Sequence, residues 1–324
     1  MARGTLLARP RGRRATRTSI AIVALVAGGA LASAGAGVAA AKRSSSNTTI
    51  CSGSPHHPGV LSGTIAGNVV IKGVCFVDHG SARVKGSLTV TSGSAFGAIF
   101  GHNDKTHHGV SNLTVTRNLV VARGAAAFLG CEPKASPCKD DNQKHPTLHN
   151  RIRIGGDLQA TRALAVIVHV TSVGGNVTQR GGGGGANCSS MPGIFKALKS
   201  PVFSDFEDNS IAGNLTIDGV QSCWLGALRD RIGHSFTLKD NGMADPDAIE
   251  IGSNRIAGNL ACTGNTNAVP ISAVVWDSNE TNPAPGHLFP RQPDPNKVGG
   301  ARSGQCVTPP PLAPGQPAGA PNTF

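Results

Sequence analysis

The chain is punctuated by short stretches in which apolar and polar positions alternate: Leu88-Thr89-Val90-Thr91, Leu113-Thr114-Val115-Thr116, Leu215-Thr216-Ile217-Asp218 and Phe236-Thr237-Leu238-Lys239. A period of two puts every second side chain on one face, the pattern of a strand with one buried and one solvated side. Before each comes a recurring phrase, usually a small residue, then Gly, then Asn, Asp or Ser. It reads Ala66-Gly67-Asn68-Val69, Lys85-Gly86-Ser87-Leu88, Gly155-Gly156-Asp157-Leu158, Gly174-Gly175-Asn176-Val177, Ala212-Gly213-Asn214-Leu215 and Ala257-Gly258-Asn259-Leu260. Degenerate copies stand at Ser111-Asn112-Leu113 and His234-Ser235-Phe236. Anchored on the polar residue, the steps are 19 (68 to 87), 25 (87 to 112), 19 (157 to 176), 38 (176 to 214), 21 (214 to 235) and 24 (235 to 259). The period is about twenty residues, with 38 read as twice 19.

A single strand of this kind cannot bury its inner side, whereas stacked turns of chain share one continuous core and pair their edges above and below. The pattern therefore predicts an all-β protein, a single-stranded right-handed parallel β-helix (solenoid) with loop insertions and disulfides. At the corners, Gly and Asn are expected to supply positive φ or a side chain that bonds its own backbone. Stacked corner asparagines are expected to ladder from turn to turn. Cys262 falls in the inward slot equivalent to Val90, Val115, Ile217 and Leu238. Three stretches break the period. Leu129 to Asn150 reads as a protruding loop closed by Cys131 and Cys138, Gly181 to Gly185 as a flexible excursion before Cys188, and the residues after Cys306 as a disordered Pro-rich tail.

Charge adds an export signal. Residues 1 to 18 hold six arginines and no acid, and Ser19 to Ala41 is uncharged and ends in Ala39-Ala40-Ala41. This predicts a signal peptide over 1–41, then a linker or cap over 42–58, the β-helix over 59–275, a cap closed by a disulfide over 276–306 and the tail over 307–324. Removing six of the 30 Lys and Arg leaves 24 bases against 18 acids, about +6 instead of +12. The bases are scattered and aromatic residues are few, which argues against nucleic acid as a partner. Weak attraction to anionic wall polymers fits better. Eight cysteines, at 51, 75, 131, 138, 188, 223, 262 and 306, form no CxxC pair and read as four disulfides in an oxidising compartment, sequential pairing being the simplest connectivity.

The residues Cys51-Ser52-Gly53, Asn68-Val69-Val70, Gly73-Val74-Cys75, the repeated Gly-Asn-Val/Leu turns, Ile256-Ala257-Gly258-Asn259-Leu260-Ala261-Cys262-Thr263-Gly264-Asn265 and Ser303-Gly304-Gln305-Cys306 resemble a group of uncharacterised secreted parallel β-helix proteins of actinobacteria. They are more distantly similar to the polymer-forming bactofilin-like solenoids. The resemblance covers roughly residues 50 to 306 and implies fold and export. It also implies pairing Cys51 with Cys75 and Cys262 with Cys306. The group has no agreed catalytic motif, so it lends no functional residue.

Candidate chemistry is sparse. Carboxylates gather in Asp205-Phe206-Glu207-Asp208 and at Asp240, Asp245, Asp247 and Glu250, and stacking of 205–218 on 240–250 would bring Asp208 or Asp218 near Asp240. Such a pair would suit a polysaccharide lyase or glycoside hydrolase, but turn positions favour solvated acids. In the loop Gly101 to His108, His102, Asp104, His107 and His108 could ligate a metal, although a hydrophilic loop is where such residues are ordinarily just hydrated. Neither a phosphate-binding Gly-rich loop nor the hydrolase Gly-x-Ser-x-Gly elbow occurs. The expectation is a cofactor-free, non-catalytic extracellular or wall-associated scaffold with Thr-rich outer faces turned to cell-wall or environmental polysaccharide, not to a membrane once the signal is removed. The alternatives are an enzyme on the same fold and a self-assembling envelope scaffold.

Overall fold

Alternating strands of three to five residues recur throughout the computed structural model, which describes residues 47–133, 136–245, 249–267, 276–277 and 296–307. The 1–41 segment, most of 276–306 and all but the first residue of 307–324 lie outside the described residues. The protein is almost all-β, with large parallel sheets, four disulfides and, among the described residues, a single five-residue helix, Ile194–Leu198.

The strands fall into three parallel ladders that the chain visits in rotation. The first holds Leu88–Val90, Leu119–Val121, Leu158–Thr161, Val177–Arg180, Leu215–Asp218, Phe236–Lys239 and Leu260–Thr263. A second runs through Ala95–Ala98, Ala126–Leu129, Ala165–His169, Phe203–Glu207, Trp224–Leu228 and Ile249–Gly252. The third runs through Ala82–Val84, Leu113–Val115, Ile152–Ile154, Thr171–Val173, Ser210–Ile211, Arg231–Ile232 and Arg255–Ile256. Near the N-terminus Asn68–Phe76 serves the first two ladders in one continuous strand. Thr48–Gly53, within the segment read as a linker, is a six-residue strand paired with Asn68–Gly73.

Inward side chains such as Val69, Leu88, Leu119, Leu215, Phe236 and Leu260 are fully buried, and Cys262 lies in line with Ile217 and Leu238. The direct pairing of Val177–Arg180 with Leu215–Asp218 corrects the reading of 38 as two periods: it is one passage around the ladders, lengthened by the insertion 181–202. Asn112 is likewise not a first-ladder corner. Leu113–Val115 belongs to the third ladder, so Val115 is not the counterpart of Val90; that place is taken by Val121, behind the corner Asn118. Leu88-Thr89-Val90 and Leu113-Thr114-Val115 share the same apolar-polar-apolar alternation, and a period of two cannot say which ladder a strand joins.

Corner residues at 68, 87, 118, 157, 176, 214, 235 and 259 form one column in which each side chain accepts from the next backbone N–H. The Asn176 Oδ1 to Asn214 N contact, 2.9 Å, is typical. These side chains bond the adjacent rung rather than their own backbone. Where glycine precedes them the stacking is close, since a Cβ on Gly86 would strike Asn68 Oδ1 and the Gly67 backbone, whereas Arg117 and His234 hold that place before Asn118 and Ser235. Positive φ occurs elsewhere, as at Gly219 and Asp240 in one column and Asp208, Arg229 and Ser253 in another.

The five glycines 181–185 all have positive φ, and three of them donate to neighbouring rungs: Gly181 to Asp218, Gly183 to Ala163 and Gly185 to Gln221. They are stitched to the ladders, which corrects the expectation of a loose excursion. The disulfides join Cys51 to Cys75, Cys131 to Cys138, Cys188 to Cys223 and Cys262 to Cys306.

Candidate functional site

Two places gather functional side chains, one on the open face of the first ladder and one beneath cover on the second. On the first ladder, the residues between the inward positions point to solvent. In register they form a row of Gln159, Thr178, Thr216 and Thr237, flanked by a second row of Thr161, Arg180, Asp218 and Lys239. Gln159, Thr161, Thr178, Arg180 and Thr216, with the corner residues Asp157, Asn176 and Asn214, line a shallow polar concavity of about 460 Å3. Rows repeat at the strand spacing of about 4.8 Å, so hydroxyl, amide and guanidinium groups are presented as a periodic array.

The second ladder differs because both of its sides are buried. Ser204 accepts from the inward Gln179 at 3.0 Å, so Ser204 and Phe206 face the core while Phe203, Asp205 and Glu207 point outward. The insertion 181–202 covers this outer side. Phe195 of the short helix is fully buried and lies with its ring 5.9 Å from Phe128 and 6.2 Å from Phe203, and Phe203 in turn lies edge-on to Trp224.

Under this cover His169 and Glu207 are register partners on adjacent strands, and Asp205 lies two residues before Glu207 on the same side. His169 Nε2 is 3.0 Å from Asp205 Oδ2, and the two side chains are 5% and 4% exposed. Arg229, from the following rung, donates to Glu207 Oε2 at 2.7 Å and closes a fork on Asp208 through Nε and Nη2 at 2.8–3.0 Å. Asp205 Oδ1 and His169 Nδ1 are buried with no hydrogen-bond partner among the described residues. Burial first, then the charge of Asp205, pushes Glu207 up to about 8. Arg229 and His169 pull it down but do not reverse this. Burial draws the His169 imidazole down, but the hydrogen bond and charge of Asp205 more than offset it and hold His169 above its ordinary value.

The sequence candidates are only partly brought together. Asp208 joins the cluster through Arg229, whereas Asp218 stands on the first ladder between Arg180 and Lys239, and Asp240 is an exposed corner residue 3.4 Å from Lys239 Nζ. Asp205 and Glu207 are buried strand residues rather than solvated turn acids. In the histidine loop, His102, His107 and His108 are exposed and do not converge with Asp104, whose carboxyl burial and the nearby Asp140 raise above its usual range. Among the described residues, only His169, Asp205, Glu207 and the trio Cys188, Cys223, Asp245 bring three ligand-type groups within one ion's reach, and the two cysteines of the second trio are bonded to each other.

Sequence reasoning missed His169, Glu207 and Arg229 as a unit. A usable signal was the distance to the corner column: His169 stands seven residues before Asn176, and Glu207 seven before Asn214. Comparison with known protein families, with curated proteins and with solved structures finds no match, so the two sites stand on their own geometry.

Proposed function

We propose that this chain is an exported, right-handed parallel β-helix, extracellular or wall-associated, that binds polysaccharide along the polar face of its first ladder without cleaving it. Handedness follows from the strong preference of parallel crossover connections for the right-handed path. Four disulfides suit an oxidising compartment. No helix among the described residues is long and apolar enough to cross a membrane.

The carrying observation is the concavity lined by Asp157, Gln159, Thr161, Asn176, Thr178, Arg180, Asn214 and Thr216. Its groups sit on paired strands, so they are ordered before any ligand arrives and cost little further entropy on binding. A linear polymer with a repeating array of hydroxyls matches such a surface better than a compact ligand, which would need an enclosing pocket.

The test is a binding screen against purified wall and plant polysaccharides, with reducing-sugar release measured in the same wells. Binding without release, weakened roughly tenfold by Arg180→Ala or Gln159→Ala through loss of one hydrogen bond to a charged or amide group, is the expected result. Release of reducing sugar abolished by Glu207→Gln would replace this reading with a glycoside-cleaving one. One observation favours that second reading: Asp205 and Glu207 are convergent carboxylates, one of them protonated near neutral pH. Their burial disfavours it, because a polymer must reach the acid that cleaves it.

A further inference from the structure

We propose that His169, Asp205 and Glu207 form a binding site for one divalent transition-metal ion, of the zinc or manganese kind, on the covered side of the second ladder. A nitrogen of His169 and one carboxylate oxygen each of Asp205 and Glu207 lie within 4.8 Å of one another. Metal–ligand bonds of about 2.0–2.2 Å bring such atoms onto a single ion with small side-chain rotations. The three donors are held by paired backbone: His169 and Glu207 are register partners, and Asp205 is fixed by the same strand as Glu207.

Two further observations point to a cation rather than to a closed hydrogen-bond network. Asp205 Oδ1 and His169 Nδ1 are buried without a partner, in a side-chain pair no more than 5% exposed. Buried polar atoms are nearly always satisfied, so two orphans in one pair mark a missing ligand. The second is charge. Arg229 reaches Glu207 and Asp208 while Asp205 is held by the His169 imidazole, so with the three acids ionised and the imidazole neutral, as a metal ligand must be, the cluster carries two unbalanced negative charges. A dication supplies that balance, where unpaired buried carboxylates would be strongly unfavourable. One imidazole and two carboxylates form a mixed donor set that suits zinc or manganese better than calcium, which takes oxygen alone.

The site is separate from the polar face of the first ladder and does not depend on polysaccharide binding. Oxidised full-length protein, stripped with chelator, is titrated with zinc chloride and with manganese chloride by calorimetry. One ion per chain is expected, with affinity on the order of 100-fold weaker in His169→Ala and in Glu207→Gln, and unchanged in a His102→Ala, His107→Ala, His108→Ala triple variant. X-ray absorption on the wild-type zinc complex should show a single imidazole with oxygen neighbours, and this readout stands even if the buried variants fail to fold. No stoichiometric binding by wild type, binding lost in the triple variant, or two or more imidazoles around zinc would each overturn the proposal.

Discussion

At the scale of single residues, a second stacked column shows how strictly one position is specified. Asn209, Asp230, Asn254 and Asn296 are buried, and each accepts through its Oδ1 from the backbone N–H of the rung before: Thr171 to Asn209, Asn209 to Asp230, Asp230 to Asn254, Asn254 to Asn296. The amide nitrogens of the asparagines donate to the carbonyls of Val168, Ala227 and Ile251, which are in register with Phe206. Asp230 therefore presents Oδ2 where a donor is wanted, and Oδ2 has no partner in its ionised form. Burial raises this carboxyl well above its usual value, so it keeps a proton and can donate as Asn does. Glu207 and His169 are raised as well. A group with a raised folded-state pKa stabilises the fold fully below its unfolded value and loses that contribution as pH rises through the folded one. For Glu207 the window runs from about 4.5 to about 8, and Asp230 and His169 act in the same direction. The urea midpoint, measured with chelator present, should therefore fall between pH 5 and pH 8. Asp230→Asn should stabilise the protein at pH 8 by about 1–3 kcal/mol, the value of a satisfied buried polar group. A wild-type midpoint that rises over this range would contradict the assignment.

At the scale of elements, the insertion 181–202 does more than decorate a turn. It carries the glycines that stitch to Asp218, Ala163 and Gln221, the helix Ile194–Leu198 that seats Phe195 on Phe128 and Phe203, and Cys188, which is tied to Cys223. Phe195→Ala should cost about 3–5 kcal/mol, the usual range for emptying a buried phenylalanine site, read from the denaturant midpoint. A loss below about 1 kcal/mol would mean that the helix rests on the ladder without sealing it. The same element explains what sequence could and could not disclose. The strands were legible because alternation and the Gly-Asn corner repeat wherever a side is buried, as in Leu215-Thr216-Ile217. Ladder membership was not, because Leu88-Thr89-Val90 and Leu113-Thr114-Val115 satisfy the same pattern on different ladders, and Leu119-Val120-Val121, the true neighbour of the first, lacks the polar middle residue. The cluster was hidden for another reason: an outward strand residue such as Glu207 is ordinarily solvated, and a period of two does not reveal that both sides of the second ladder are buried.

For the whole molecule, stability is unevenly distributed because each rung touches only its neighbours. Among the described residues, the first strand, Thr48–Gly53, pairs in the first ladder with Asn68–Phe76 alone, and its Thr48, Thr49 and Ile50 are exposed. Arg302–Gly304, at the other end of the described residues, pairs with Leu260–Thr263. Each end is bonded across its last interface, Cys51 to Cys75 over 24 residues and Cys262 to Cys306 over 44. Closing loops of these lengths removes about 3–4 kcal/mol of unfolded-chain entropy at each end. Central strands such as Val177–Arg180 have partners on both sides and no such need. Reduction should thus fray the molecule from its tips. In hydrogen exchange with reductant present, amides of 48–53 and 302–304 should lose roughly 100-fold or more of their protection, the factor that about 3 kcal/mol corresponds to, while those of 158–180 and 215–228 keep theirs. Uniform loss across all ladders would show instead that the protein unfolds as one cooperative unit and that its end bridges hold no local advantage.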